Sequence, residues 1–219
     1  TDYQKIYAIY DYICDNITYD YQHLNDMNYT LKNSAYAALI NKTAVCQGYA
    51  NLLYRLLLEL GIDNRIITGE TLEGPHAWNI VKLGDFYYSV DSTWDAGQTE
   101  YSYFLTSTWN FVGHYRFLEY ETIAFHSTYP VAKDNYTPGV KGTKSDYIYT
   151  GYCGADITNA TWKLGYDSVL YIEGEGATYD FNSYDEDPYY SYWIDEITKV
   201  SVAEGITRIG EMSFYDFTA

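Results

Sequence analysis

Three cysteines, four prolines and thirteen basic residues are all that this 219-residue chain carries of those types, and each shortage excludes something. The cysteine count is odd, so at least one of Cys14, Cys46 and Cys153 stands outside any intramolecular disulfide. They are also too few and too widely spaced for a zinc framework. Thirteen Lys and Arg against 30 Asp and Glu give a formal charge of −17 with no basic patch, which argues against nucleic acid and anionic membranes as partners. No apolar run approaches the roughly 18 residues of a membrane span. The opening TDYQKIYAIYDY has no signal-peptide pattern, as a mature or trimmed chain also would not. The acidic run YDEDPYY at 184–190 lacks the glycine and spaced oxygens of an EF-hand loop and is expected to be a solvated turn. No metal and no cofactor are expected.

Tyrosine is what the chain has in excess, 29 residues spread along its length, in a composition that is 47% hydrophobic. That composition is globular, and the amphipathic rings suit strands and recognition surfaces. Large residues from Tyr3 to Ile13 recur at three- and four-residue steps, which predicts an amphipathic helix ending at Asn16. Ser34 is an expected N-cap for a short helix over AYAALIN. A long helix follows, with Cys46, Tyr49, Ala50, Leu53, Leu56, Leu57 and Leu60 on one face and Gly61 as its left-handed stop. Strands are expected over NRIITGE, HAWNIVKL and FYYSVDSTW, the last two joined through Gly84 and Asp85. Residues 101–126 show only part of a strand and a short helix. The prolines, glycines and lysines of 127–144 read as a connection, and the glycine-bounded alternating segments beyond it as short strands.

Cys46 stands at the first turn of its helix, where free N–H groups and the macrodipole favour a thiolate, the form that attacks a carbonyl carbon. A base is needed. With a two-residue turn at Gly84 and Asp85, Leu83 faces Phe86 and Asp91 falls opposite Trp78. Asp91 then becomes a same-face diagonal neighbour of His76, at the roughly 7 to 8 Å that long side chains bridge. A three-residue loop would put Asp91 on the other face. The chemistry is that of a thiol nucleophile, an imidazole that takes and returns its proton, and a carboxylate that fixes the imidazole. An exposed strand histidine beside a turn aspartate is the alternative.

TAVCQGYANLLYRLLLELGI, HAWNIV and YYSVDSTWD together resemble the transglutaminase-like superfamily, and YDYICDNITYDY resembles its leading segment. The resemblance covers roughly residues 1–125. It implies an α+β, papain-like core in which the cysteine helix packs on an antiparallel sheet, with Cys46 as nucleophile, His76 as base and acid, and Asp91 as orienter. The Cys46 N–H would supply one oxyanion contact. In animal members a tryptophan well upstream of the cysteine supplies the second, and this chain has none before Trp78. Tyr19 or Tyr21 is the candidate replacement, with packing beneath the helix as the other reading of Tyr19. Gln47 points either to the site or to solvent. Trp78 and Trp94 flank the histidine and aspartate as water-excluding rings, core residues, or both. His23, His114 and His126 are expected to be packing or surface residues.

GYCGADITNATWKLGYDSVLYIEGEGATYDF and ITKVSVAEGITRIGEMSF resemble the β segment preceding bacterial surface-type leucine-rich repeats. The pattern stops as if within a repeat. The expected organisation is a catalytic domain over 1–130, a linker over 131–145 and a small all-β domain over 146–219. The expected function is thiol-dependent acyl transfer on protein or peptide amides, hydrolytic as in a cysteine protease or deamidase. Amine-accepting cross-linking and non-catalytic adhesion are the alternatives. Expected partners are a protein or peptide substrate and cell-wall or host-surface proteins, at an extracellular or bacterial surface location.

Overall fold

The computed structural model describes residues 1–181 and 188–217, so most of the acidic run at 184–190 lies outside the described residues. The chain forms two compact units. The first comprises residues 1–120 and 129–144, the second residues 121–128 and 145–219.

In the first unit, helix α1 (Asp2–Asn16) starts on a capping box in which Thr1 and Gln4 exchange hydrogen bonds. It buries Ile6, Tyr10, Ile13 and Cys14, the apolar stripe expected from the spacing. Two short strands, β1 (Thr18–Tyr19) and β2 (Thr43–Ala44), pair in parallel and lead the chain into helix α2 (Cys46–Glu59). Ser34 accepts a hydrogen bond from the Ala37 N–H and caps the short helix between them. Gly61 takes φ +72 just past α2, a conformation that costs glycine nothing.

Strands β3 (Asn64–Thr71), β4 (Gly74–Leu83), β5 (Phe86–Val90) and β6 (Tyr115–Arg116) form a sheet in the order β5-β4-β3-β6, all neighbours antiparallel. Helix α2 lies on this sheet, and the Asn79 amide of β4 donates to the Ala50 carbonyl of α2. The core between them joins Tyr10, Tyr49, Leu53, Leu57, Val81, Tyr88 and Val90, and the unit is α+β. Gly48 is where α2 comes closest to the preceding segment. A Cβ there would meet the Ala44 Cβ at 2.6 Å and the Lys32 carbonyl at 2.7 Å. Gly48→Ala should therefore lower stability by about 1–3 kcal/mol through overpacking, measured as a lower midpoint in urea with an unchanged slope.

Two expectations need correction. The strand predicted over FYYSVDSTW stops at Val90, because the Asp91 carboxylate accepts the N–H groups of Thr93 (2.8 Å) and Trp94 (3.4 Å) and turns the chain. The stretch predicted as a linker over 131–145 is, up to residue 144, part of the first unit, so the 1–130 boundary moves as well. Its N-terminal end runs beside β5: Val131 bridges Tyr87, and the Ala132 N–H donates to the Tyr87 carbonyl. Val131 and Ala132 are buried there, which a solvated connection would not permit.

In the second unit, helix α3 (Ile123–Thr128) accompanies strands β7 (Tyr149–Gly154), β8 (Ile157–Leu164), β9 (Val169–Gly174) and β11 (Lys199–Val202), in sheet order β11-β9-β8-β7. Strands β10 (Gly176–Ala177) and β12 (Ile206–Arg208) make a second, two-stranded sheet. β11 pairs with β9 in parallel, as β12 does with β10. Trp162, Leu164, Leu170, Ile172, Tyr190 and Trp193 form the core.

Candidate active site

Cys46 is the first residue of α2. Val45 precedes it in an extended conformation, with no side chain capping the helix, while the Val45 carbonyl receives the Gly48 and Tyr49 N–H groups. The helix end is thus left open toward the thiol, and Cys46 is half-buried where Cys14 and Cys153 are buried. All three are free thiols.

The β4–β5 turn has the two-residue form expected. Leu83 faces Phe86, Asn79 faces Val90, and only Gly84 of the two turn residues has positive φ, the habit of a type II′ turn. This register carries Asp91 to His76. The His76 Nε2 lies 2.7 Å from Asp91 Oδ2, with both side chains more than nine-tenths buried. Since Nε2 is committed to the carboxylate, Nδ1 is the nitrogen left for the Cys46 thiol, whose interaction with the ring helps set its basicity. Burial disfavours the imidazolium, but its hydrogen bonds with Asp91 and Cys46 outweigh that and raise the His76 pKa to about 9. Burial also opposes ionisation of Asp91. The hydrogen bonds from His114 and His76 reverse that and hold its pKa at about 2.

His114 is the residue that sequence reasoning missed. Its Nε2 lies 3.0 Å from the same Asp91 Oδ2, and its side chain is fully buried. The ring sits among Trp78 (5.0 Å between centroids), Trp94 (4.3 Å), Phe111 (4.0 Å) and Tyr103 (5.4 Å).

The other candidates separate by position. Tyr19 faces both the backbone N–H and the thiol of Cys46, and burial raises its phenol to about 12, which keeps it a proton donor at neutral pH. Tyr21 is 78% exposed and packs at a tilt against Tyr19, 4.8 Å between ring centroids. Gln47 is half-buried and, among the described residues, its side chain makes no hydrogen bond. Trp78 and Trp94 both lie against His76, at 6.1 and 5.6 Å between ring centroids. Trp78 is only 1% exposed. His23 pairs with Asp20 and His126 with Glu121. A cleft of about 620 Å³ opens beside His76, lined by Tyr19, Tyr21, His76 and Trp94 together with the exposed carboxylates of Asp15 and Glu73.

His76, Asp91 and His114 present ligand atoms all within 4.8 Å of one another, the one such group among the described residues. Their contacts of 2.7 and 3.0 Å are those of direct N–H···O bonds. Two ligands held at ~2.0–2.1 Å around a tetrahedral ion stand roughly 3.3 Å apart, so the hydrogen-bonded arrangement accounts for the geometry without an ion.

A thiol at an open helix end, a buried imidazole and a carboxylate acting on its far nitrogen define the class, a thiol-dependent enzyme. The model of the Transglutaminase-like superfamily matches residues 1–92, and this supports a transglutaminase-like domain over that part of the chain. The chain is 27% identical over 147 residues to the kyphoscoliosis peptidase of Homo sapiens, a match covering 61% of this chain and 22% of that protein. It thus spans about a fifth of the length of the curated relative. A crystal structure of a TGase is similar at a TM-score of 0.38 and 25% identity, covering 43% of this chain and 26% of that one. A protein of Cytophaga hutchinsonii, solved as a candidate cysteine protease, is similar at 0.36 and 27%, covering 42% and 31%.

Proposed function

We propose that the first unit transfers acyl groups from protein or peptide amides through a thioester on Cys46, and that water resolves the thioester. The observation that carries this reading is the buried His76–Asp91 contact at 2.7 Å, with Nδ1 left for the thiol. The Cys46 thiolate attacks the amide carbon as His76 holds the thiol proton. His76 passes that proton to the departing amine as the C–N bond breaks. The ring, neutral again, takes a proton from water as it attacks the thioester, then returns it to the sulfur as the acid leaves. The Cys46 N–H and the Tyr19 hydroxyl are the oxyanion donors in this scheme, each worth about 3 kcal/mol in comparable sites.

Because His76 must be protonated when the amine leaves, acyl transfer should fall as pH rises through about 9, the value to which its partners raise it. A rate profile on any cleaved peptide checks this. A decline centred near 6.5, the ordinary histidine value, would show an imidazole without its partners.

One observation favours a second reading, in which a primary amine resolves the thioester and cross-links two proteins. Asp15 and Glu73 line the cleft and would attract an ammonium group. A peptide library offered with and without a fluorescent amine, with Cys46→Ala as control, separates cleavage, deamidation and amine incorporation. Hydrolysis without label uptake supports the first reading, and label in the product supports the second.

For the second unit, the resemblance of its strands to the start of a leucine-rich-repeat array, together with the parallel pairs β9–β11 and β10–β12, supports tethering to cell-wall or host proteins at a bacterial surface.

A further inference from the structure

The geometry points to His114 as a positioning residue: its Nε2–H shares the Asp91 Oδ2 with His76 and thereby sets how strongly Asp91 holds the His76 proton. This rests on the reading of His76 as the base for Cys46.

Asp91 receives four contacts. The Thr93 and Trp94 N–H groups go to Oδ1, while His76 (2.7 Å) and His114 (3.0 Å) both go to Oδ2. A carboxylate oxygen only accepts, so Nε2 of His114 carries the hydrogen in this contact. Its Nδ1 lies 3.2 Å from the Val112 carbonyl, another acceptor. A neutral ring serves the charged carboxylate, the stronger acceptor, and an imidazolium serves both. In either charge form, Asp91 meets a donor.

The fold invests in this contact. Gly113, with φ +86, turns the chain so close to Trp94 that a Cβ would lie 3.2 Å from the indole. His114 then enters the aromatic box of Trp78, Trp94, Tyr103 and Phe111 with its side chain fully covered. The ring is 5.5 Å between centroids from that of His76. The titratable groups facing the pair and its shared carboxylate are Asp91 itself, Cys46 at the start of α2 and Tyr49 one turn along it, Tyr10 and Cys14 on α1, Tyr103 on the loop that precedes His114, and Asp95 within the same turn as Asp91.

One oxygen serving two donors gives less to each. Without the His114 donor, the full charge of Asp91 falls on His76, and the imidazolium lasts to higher pH. With it, His76 is less basic and releases its proton to the leaving amine more readily.

Two substitutions separate this role from packing. His114→Phe keeps a ring in the aromatic box and loses the donor, whereas His114→Gln loses the ring and places an amide N–H near the old Nε2. The measurement is the NMR titration of the His76 ring in the full chain carrying Cys46→Ala. It needs no substrate and no reactive thiol, so it stands whether or not the proposed acyl transfer does. The expected result is a His76 titration displaced upward by about one pH unit in the Phe variant and restored toward the parent by Gln. Equal titrations in all three proteins, or a displacement in Gln but not in Phe, would overturn the inference.

Discussion

Cys46→Ala will abolish the proposed acyl transfer, a loss of about six orders of magnitude if the three groups act as a unit as in comparable triads, while leaving the fold in place. The Cys46 side chain caps nothing, since Val45 occupies the cap position. It is half-buried, so a methyl group in its place leaves no large cavity. A melting curve should therefore move little. Turnover should disappear, because no other thiol can substitute: Cys14 and Cys153 are both buried, and burial raises each above the ordinary thiol range. Residual turnover above a few per cent in the alanine variant would mean that another group performs the attack.

Asp91→Ala carries the second large effect, and it acts on stability as well as on rate. The carboxylate is 1% exposed and accepts from two backbone N–H groups and two imidazoles. Removing it leaves four donors, the two imidazoles among them buried, without their acceptor, a change that costs about 3–5 kcal/mol for buried charged pairs and should lower the melting temperature by about 10 °C. The loss of rate should be about 10⁴-fold, the usual cost of losing the group that fixes the imidazole tautomer. Asp91→Asn keeps the volume and separates the two: a smaller fall in melting temperature with a comparable loss of rate is expected. The same carboxylate makes the unit acid-sensitive. Its pKa is lowered to about 2 in the folded chain, so the stability it contributes is full above the ordinary value of 3.8 and is lost as pH falls toward 2.

The elements that place His76 and Asp91 were legible in the sequence because each rests on a local rule. The apolar stripe of α2 and the glycine after it fix the helix, and the Gly84–Asp85 turn fixes the register that brings Asp91 across from Trp78. What was not legible has local causes too. Asp91 ends β5 by folding its own side chain onto the next N–H groups, which a run of strand-forming residues does not announce. The segment at 131–144 reads as a connection by composition, yet Val131 and Ala132 find a place beside β5. His114 follows a stretch of bends and short turns with no apolar period. The available signal was Gly113 directly before a histidine in a loop rich in aromatic residues. A tight turn into an aromatic box is what that pair builds.

The central claim is that Cys46 is a thiol activated by His76, and the alkylation rate of each cysteine tests it most directly. Treated with iodoacetamide at neutral pH and read by mass spectrometry, Cys46 should react at least about tenfold faster than Cys14 or Cys153. Burial alone slows the other two. The deciding comparison is therefore Cys46 in the parent chain against Cys46 in His76→Ala, where the base is gone and the thiol is, if anything, more accessible. The account predicts that the rate at Cys46 falls to that of an ordinary exposed thiol. An unchanged rate, or equal rates at all three cysteines in the parent chain, would contradict it.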